Sequence, residues 1–71
     1  MQKISVIIAN RHPTSISIEK EFLEELKTIA QNKGQSINQI VTEIDMERQN
    51  KNLSSAIRIY ILQYLKSQLT T

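Results

Sequence analysis

Cysteine is absent from the 71 residues, and there is one glycine, one proline, one histidine and one aspartate. Without cysteine there is no disulfide and no thiol nucleophile, and the composition fits a reducing cytoplasm. A single glycine, Gly34, cannot build a glycine-rich phosphate loop. His12 has neither a cysteine nor a second histidine to complete a metal site or a nucleophile–base pair, which leaves it as a loop residue or a phosphate contact. The carboxylates cluster as Glu24-Glu25 and Glu43-x-Asp45-x-Glu47, but neighbours one or two positions apart do not share a helix face, so they read as solvated surface. No apolar run approaches the roughly 20 residues of a membrane span, and the amino terminus has no signal-peptide pattern. The expectation is a soluble cytoplasmic protein with no catalytic centre, no metal, no cofactor and no small-molecule ligand.

A chain of this length makes one domain with a modest core, and with no disulfide or metal to staple it, oligomerisation is the expected source of further buried surface. The net charge of +2 is small, but it is unevenly placed. Residues 1–18 carry Lys3 and Arg11 and no acid, whereas residues 19–47 hold all seven carboxylates against three lysines. Residues 48–71 again lack acids and carry Arg48, Lys51, Arg58 and Lys66. The first of these segments is where a polyanion would be met.

Lys3-Ile4-Ser5-Val6-Ile7-Ile8-Ala9 is rich in β-branched residues and predicts an extended arm or outer strand over 4–8. Asn10-Arg11-His12-Pro13 follows as a turn. Pro13 has no N–H and belongs at the start of a strand, so the core strand is predicted from there. Along it Thr14, Ile16 and Ile18 share one face, and Pro13, Ser15 and Ser17 share the other, with Arg11 at the entry. A first helix is predicted from Glu19 or Lys20 to Asn32 on the stripe Phe22, Leu23, Leu26, Ile29 and Ala30, with Gly34 as a left-handed stop. Ser36-Ile37-Asn38-Gln39 is a capping-box pattern opening a second helix, whose inward face is Ile37, Ile40, Val41 and Ile44 and which fades near Arg48 before the polar Gln49-Asn50-Lys51-Asn52. A third helix, Leu53 to Gln68, carries Leu53, Ala56, Ile57, Tyr60, Ile61, Tyr64 and Leu65 as one stripe, widened by Ile59, Leu62 and Leu69. So broad an apolar face needs two partners, one in its own chain and one in another.

The core strand has two edges of N–H and C=O groups, which must pair with a second segment or with a copy of the strand across a two-fold axis. Thr14-Ser15-Ile16-Ser17-Ile18-Glu19 with Glu21-Phe22-Leu23, then Gly34-x-Ser36-x-Asn38, then Asn52-Leu53-Ser54-Ser55-Ala56-Ile57-Arg58, resembles the ribbon-helix-helix superfamily of Arc-type repressors. More narrowly the chain resembles a small bacterial subfamily with a third helix, over Arg11 to about Lys66. The resemblance implies a mainly α fold with a short β-ribbon. Its form is an intertwined homodimer with an intermolecular antiparallel ribbon of residues 13–19 and three helices per chain. Residues 1–12 would be an arm or outer strand and residues 13–71 the ribbon-helix-helix domain.

The resemblance also implies a function: a sequence-specific regulator of transcription, not an enzyme, whose dimeric ribbon enters the major groove of double-stranded DNA, with dimers assembling side by side on repeated half-sites. By position the base-facing residues are Arg11, Pro13, Ser15 and Ser17, and serine hydroxyls read bases permissively where other members carry Arg, Lys, Asn or Gln. Ser36, Ile37 through its N–H, and Asn38 would clamp a phosphate at the amino terminus of the second helix. Two rivals use the same fold: the antitoxin of a toxin–antitoxin pair, disfavoured because an apolar helix stands where a disordered tail is expected, and a dimeric protein-interaction module that binds no DNA.

Overall fold

The computed structural model describes residues 1–9, 11–49 and 52–69. Two strands, β1 (Gln2–Ile8) and β2 (His12–Ile18), precede three helices, α1 (Lys20–Asn32), α2 (Ile37–Glu47) and α3 (Leu53–Leu69). The strands form an antiparallel hairpin in which Ser5 faces Ser15, Lys3 faces Ser17 and Ile7 faces Pro13. The Arg11 N–H donates to the Ile8 carbonyl at 3.1 Å to close the turn, and Ala9 takes a positive φ of 55° there. Of the predicted turn residues, Asn10 lies outside the described residues, as do Asn50, Lys51, Thr70 and Thr71.

The second segment that β2 needs is therefore its own β1. β2 thus pairs on one edge with a strand of its own chain. A very short turn makes that pairing local, because closing it costs little entropy. A run as β-branched as Lys3 to Ile8 is a ready partner.

The underside of the hairpin is largely apolar, with Ile4 and Thr14 partly buried. Val6, Ile8, Ile16 and Ile18 are buried, and all three helices pack beneath them through Leu26, Ile29, Ile40, Val41, Ile44, Ile57 and Ile61. No polar or charged residue joins this core among the described residues. Burying each large aliphatic side chain is worth about 1.5–3 kcal/mol, so the hairpin underside is a principal source of cohesion.

The helix boundaries follow from local chemistry. After α1 the Gly34 N–H donates to the Gln31 carbonyl and the Gln35 N–H to the Ala30 carbonyl, with Gly34 at φ 67°, a Schellman stop. At α2 the Ser36 hydroxyl accepts from the Gln39 N–H at 3.1 Å, and the Gln39 side chain accepts from the Ser36 N–H at 2.7 Å. The predicted capping box is present. At α3 the Asn52 side chain accepts from the Ser55 N–H at 2.8 Å, a cap set in what the sequence predicts only as a polar linker.

One predicted face needs correction. Leu65, grouped by spacing with the inward stripe of α3, is exposed, and with Leu62 and Leu69 it lies on the side turned away from the core. The last inward contact is Tyr64, and every described residue of α3 beyond it is exposed. Spacing alone cannot say where a helix outruns the body it packs on.

Candidate nucleic-acid interface

Hydrogen-bond directions in the hairpin follow from two contacts at its rim. The Ile7 N–H donates to Asn38 Oδ1 at 3.1 Å, and the Ala9 N–H donates to Thr42 Oγ1 at 3.0 Å. The Ile7 N–H thus points away from β2. Antiparallel pairs alternate between bonded and unbonded, so residues 3, 5 and 7 and their partners 17, 15 and 13 are the unbonded pairs. The Ser17 carbonyl agrees, since it points outward and accepts from Ser54 Oγ at 3.0 Å. Pro13 accordingly stands where an N–H would face outward, so its missing donor removes no bond between the strands.

Residues of the unbonded pairs also share the outer face, which carries Lys3, Ser5 and Ile7 beside Pro13, Ser15 and Ser17, all exposed. Arg11 is exposed in the turn at one end. Neither Lys3 nor Arg11 has an ion-pair partner among the described residues. The structure thus brings the four expected base-facing residues to one rim and face. It adds three from β1, where the sequence predicts only an arm or outer strand, and the signal for them is present in the alternation Lys3-Ile4-Ser5-Val6.

The hairpin is also nearly symmetric about its centre. Residue for residue, Gln2–Ile8 and His12–Ile18 have the same burial pattern, and the pairing register has its midpoint at Ser5 and Ser15. A two-fold operation that brings Ser5 onto Ser15 brings Ile7 onto Ser17. Both positions have outer edges held by a helix start: Asn38, second residue of α2, holds Ile7, and Ser54, second residue of α3, holds Ser17. Each helix start thus contacts one edge of the hairpin.

The expected phosphate clamp is partly occupied with structural work. The Ser36 hydroxyl and N–H are both used within the capping box. Ile37 is half-buried with its side chain on the core, leaving its N–H at the first turn of α2. Asn38 is exposed, and its amide oxygen is fixed on Ile7. What remains for an anion is the Asn38 amide nitrogen and the first-turn N–H groups, at the positive end of the helix dipole and beside the β1 edge.

Two polar ties hold the frame around this face. Arg58 Nε and Nη2 donate to Glu19 Oε1 and Oε2 at 2.8 and 3.2 Å, fixing α3 to the junction of β2 and α1. That guanidinium, chiefly through its hydrogen bond, holds the Glu19 carboxyl below the usual carboxylate range. Lys33 Nζ donates to Tyr60 Oη at 2.8 Å and lies 3.7 Å from Glu43 Oε1. The Tyr60 hydroxyl, and then the Glu43 charge, raise the Lys33 pKa above its ordinary value. Both ties lie on the frame and neither residue pair forms part of the outer face. No group of three or more histidine, cysteine, aspartate or glutamate residues able to hold a metal ion occurs among the described residues.

A two-stranded antiparallel sheet leading without interruption into three helices, over a sequence with these caps, is decisive when set beside the family profiles. The profile described as a ribbon-helix-helix domain matches residues 1–65. The chain belongs to the ribbon-helix-helix domain family. Ribbon-helix-helix domains are typically DNA-binding and non-enzymatic, in regulators and in antitoxins. The match includes β1, so the first strand falls within the family's span. No curated protein and no solved structure matches the chain. No helix among the described residues is long and apolar enough to cross a membrane.

Proposed function

We propose that this ribbon-helix-helix protein is a sequence-specific, double-stranded-DNA-binding regulator of transcription that presents the outer face of its hairpin to the major groove. It acts in the cytoplasm, without cofactor or catalysis. The observation that carries the reading is the hairpin itself: an exposed outer face without acids, backed by an underside whose Val6, Ile8, Ile16 and Ile18 are buried. Arg11, Pro13, Ser15 and Ser17 meet base edges. Ile37 and Asn38 at the start of α2 hold a phosphate, while Ser36 shapes the turn that presents them. The working form is a homodimer. The exposed stripe Leu62, Leu65 and Leu69 on α3 supports it, because three large aliphatic side chains on one side of a helix favour a covering partner.

The test is a competition assay on a duplex selected from random fragments and on its scrambled counterpart, at several salt concentrations. Ser15→Ala and Ser17→Ala are expected to change which duplex is preferred, and Asn38→Ala to weaken both together. Arg11→Ala is expected to lower the salt slope by about one unit for each phosphate that the guanidinium neutralises. Absence of preference in the wild type, with all four variants binding as it does, would reject the reading. The same α3 stripe favours a second reading, a protein-interaction module or an antitoxin that covers it with a different protein. A melting temperature that rises with protein concentration supports the homodimer, and one that does not leaves the stripe to another partner.

A further inference from the structure

We propose that the outward face of α3 docks a second copy of this chain, the two α3 helices lying antiparallel so that Leu69 of each seats in a hollow of the other. This rests on the homodimer proposed above and names a contact that holds it. Three observations carry it. The first is a seam: Leu62, Leu65 and Leu69 recur at spacings of three and four on the side of α3 turned away from the core, and are 52, 38 and 84 % exposed. The second is a hollow of about 230 Å³ beside that seam, between the end of α2 and the middle of α3. Ile44, Ala56, Ile59 and Tyr60 give it an apolar lining, and the exposed Glu47 and Gln63 stand at its mouth. The third is charge. Glu47 beside the hollow and Lys66 beside the seam have no ion-pair partner among the described residues. No basic residue stands in the last turn of α2, where the negative end of the helix dipole adds to the Glu47 charge.

These features fit one another across two chains and not within one. Leu69 lies about ten residues beyond Ile59 on the same helix, roughly 15 Å along its axis, so it cannot fill the hollow of its own chain. A two-fold axis perpendicular to the helices and passing near Leu65 sets each residue four places after it opposite the residue four places before it. Leu69 then comes to the level of Ile61 in the second copy, between Ile59 and Gln63 on the wall of the hollow. Ile59 and Lys66 are seven residues apart and share a flank of the helix, and in an antiparallel pair like flanks meet. Each Lys66 is thereby carried to the side on which the other copy's Glu47 stands. A parallel pair would set Leu69 against Leu69 and leave both hollows empty. Arg48 and Arg58, the other cations nearby, are paired with Asp45 and Glu19 in their own chain. What remains is one acid and one base per copy, a balance that a second copy matches without remainder. Every contact is made twice, as a closed two-fold interface requires.

The experiment is sedimentation equilibrium of the full chain without DNA, over a range of concentrations. Wild type is compared with Leu69→Ala, Lys66→Glu, Glu47→Lys and the double variant that carries both charge changes. All three positions are exposed, so the fold should survive, and circular dichroism checks that it does. Leu69→Ala is expected to weaken association by about tenfold. Each single charge change is expected to weaken it by about fivefold, and the double variant to recover most of that loss, a rescue that a merely structural role would not produce. The chain has no native cysteine, so Leu65→Cys near the axis is expected to link two chains on oxidation, whereas Leu69→Cys is not. If wild type associates and the variants associate equally, or if Leu69→Cys links as readily as Leu65→Cys, the antiparallel α3 contact is wrong and the homodimer stands on another surface. If wild type is monomeric at every concentration, the homodimer falls and this contact with it, and the stripe is left to a different protein.

Discussion

The two strands of the hairpin have the same burial pattern and different outward chemistry. Inward, Val6 and Ile8 of β1 match Ile16 and Ile18 of β2, and all four are buried. Outward, β1 shows Lys3, Ser5 and Ile7 where β2 shows Pro13, Ser15 and Ser17. The core imposes one rule on both strands, because any polar atom placed there loses its water without gaining a partner. The outer face meets no such rule, so its residues are free to differ. In a binding protein that freedom is where specificity resides.

The inward equivalence can be broken most severely. Val6→Asp and Ile16→Asp are each expected to cost more than about 4 kcal/mol and to unfold the protein, since either buries a carboxylate among aliphatic side chains. Urea titration followed by circular dichroism measures both. Were β1 a detachable arm, Val6→Asp would leave the fold standing while Ile16→Asp destroyed it.

The edge contacts should be matched but weaker. Asn38→Ala removes the acceptor for the Ile7 N–H, and Ser54→Ala removes the donor for the Ser17 carbonyl. Each is expected to lower stability by about 1 kcal/mol, the net worth of an ordinary hydrogen bond. A large inequality between the two midpoints of denaturation would show that one edge is held by something other than its helix start. On the outer face, Ser5→Ala and Ser15→Ala are expected to change stability by less than about 0.5 kcal/mol each.

The smallest effect tests where the equivalence ends. Glu19 follows β2 and is paired with Arg58, while Ala9 follows β1 and has no charge to pair. The Glu19 pKa is lowered in the folded protein, so the pair's contribution is present above the unfolded carboxylate pKa and is lost as pH falls through the folded value. Arg58→Gln should therefore melt slightly below wild type at neutral pH, with the gap closing in acid. A gap that stays constant down to low pH would mean that Arg58 acts through packing and not through the carboxylate.

Much of this was legible from residues alone. Thr14 to Ile18 alternates strictly, Gly34 stops α1, and Ser36 with Gln39 announces α2, because each of these signals is carried by residues within a turn or two of one another. Lys3 to Ile8 was legible as extended but not as half of an exposed hairpin face, since Ile7 interrupts the alternation and nothing nearby says what an extended segment pairs with. The Asn52 cap was hidden by its polar neighbours.

By itself the sequence determined the element order, the inward faces of the strands and of the first two helices, and membership in a fold family whose ribbon precedes its helices. Only the tertiary structure decided that β2 pairs with β1, that Asn38 and Ser54 hold corresponding edges of the hairpin, that Arg58 reaches Glu19, and that Leu62, Leu65 and Leu69 turn away from the core. The reason is range. Alternation, periodicity and capping are set by torsions and contacts among near neighbours. The partner of a strand's outer edge is set by where the chain returns with the starts of its second and third helices, and Asn38 with Ile7, Ser54 with Ser17 and Arg58 with Glu19 are all contacts between residues far apart in the chain that no local pattern encodes.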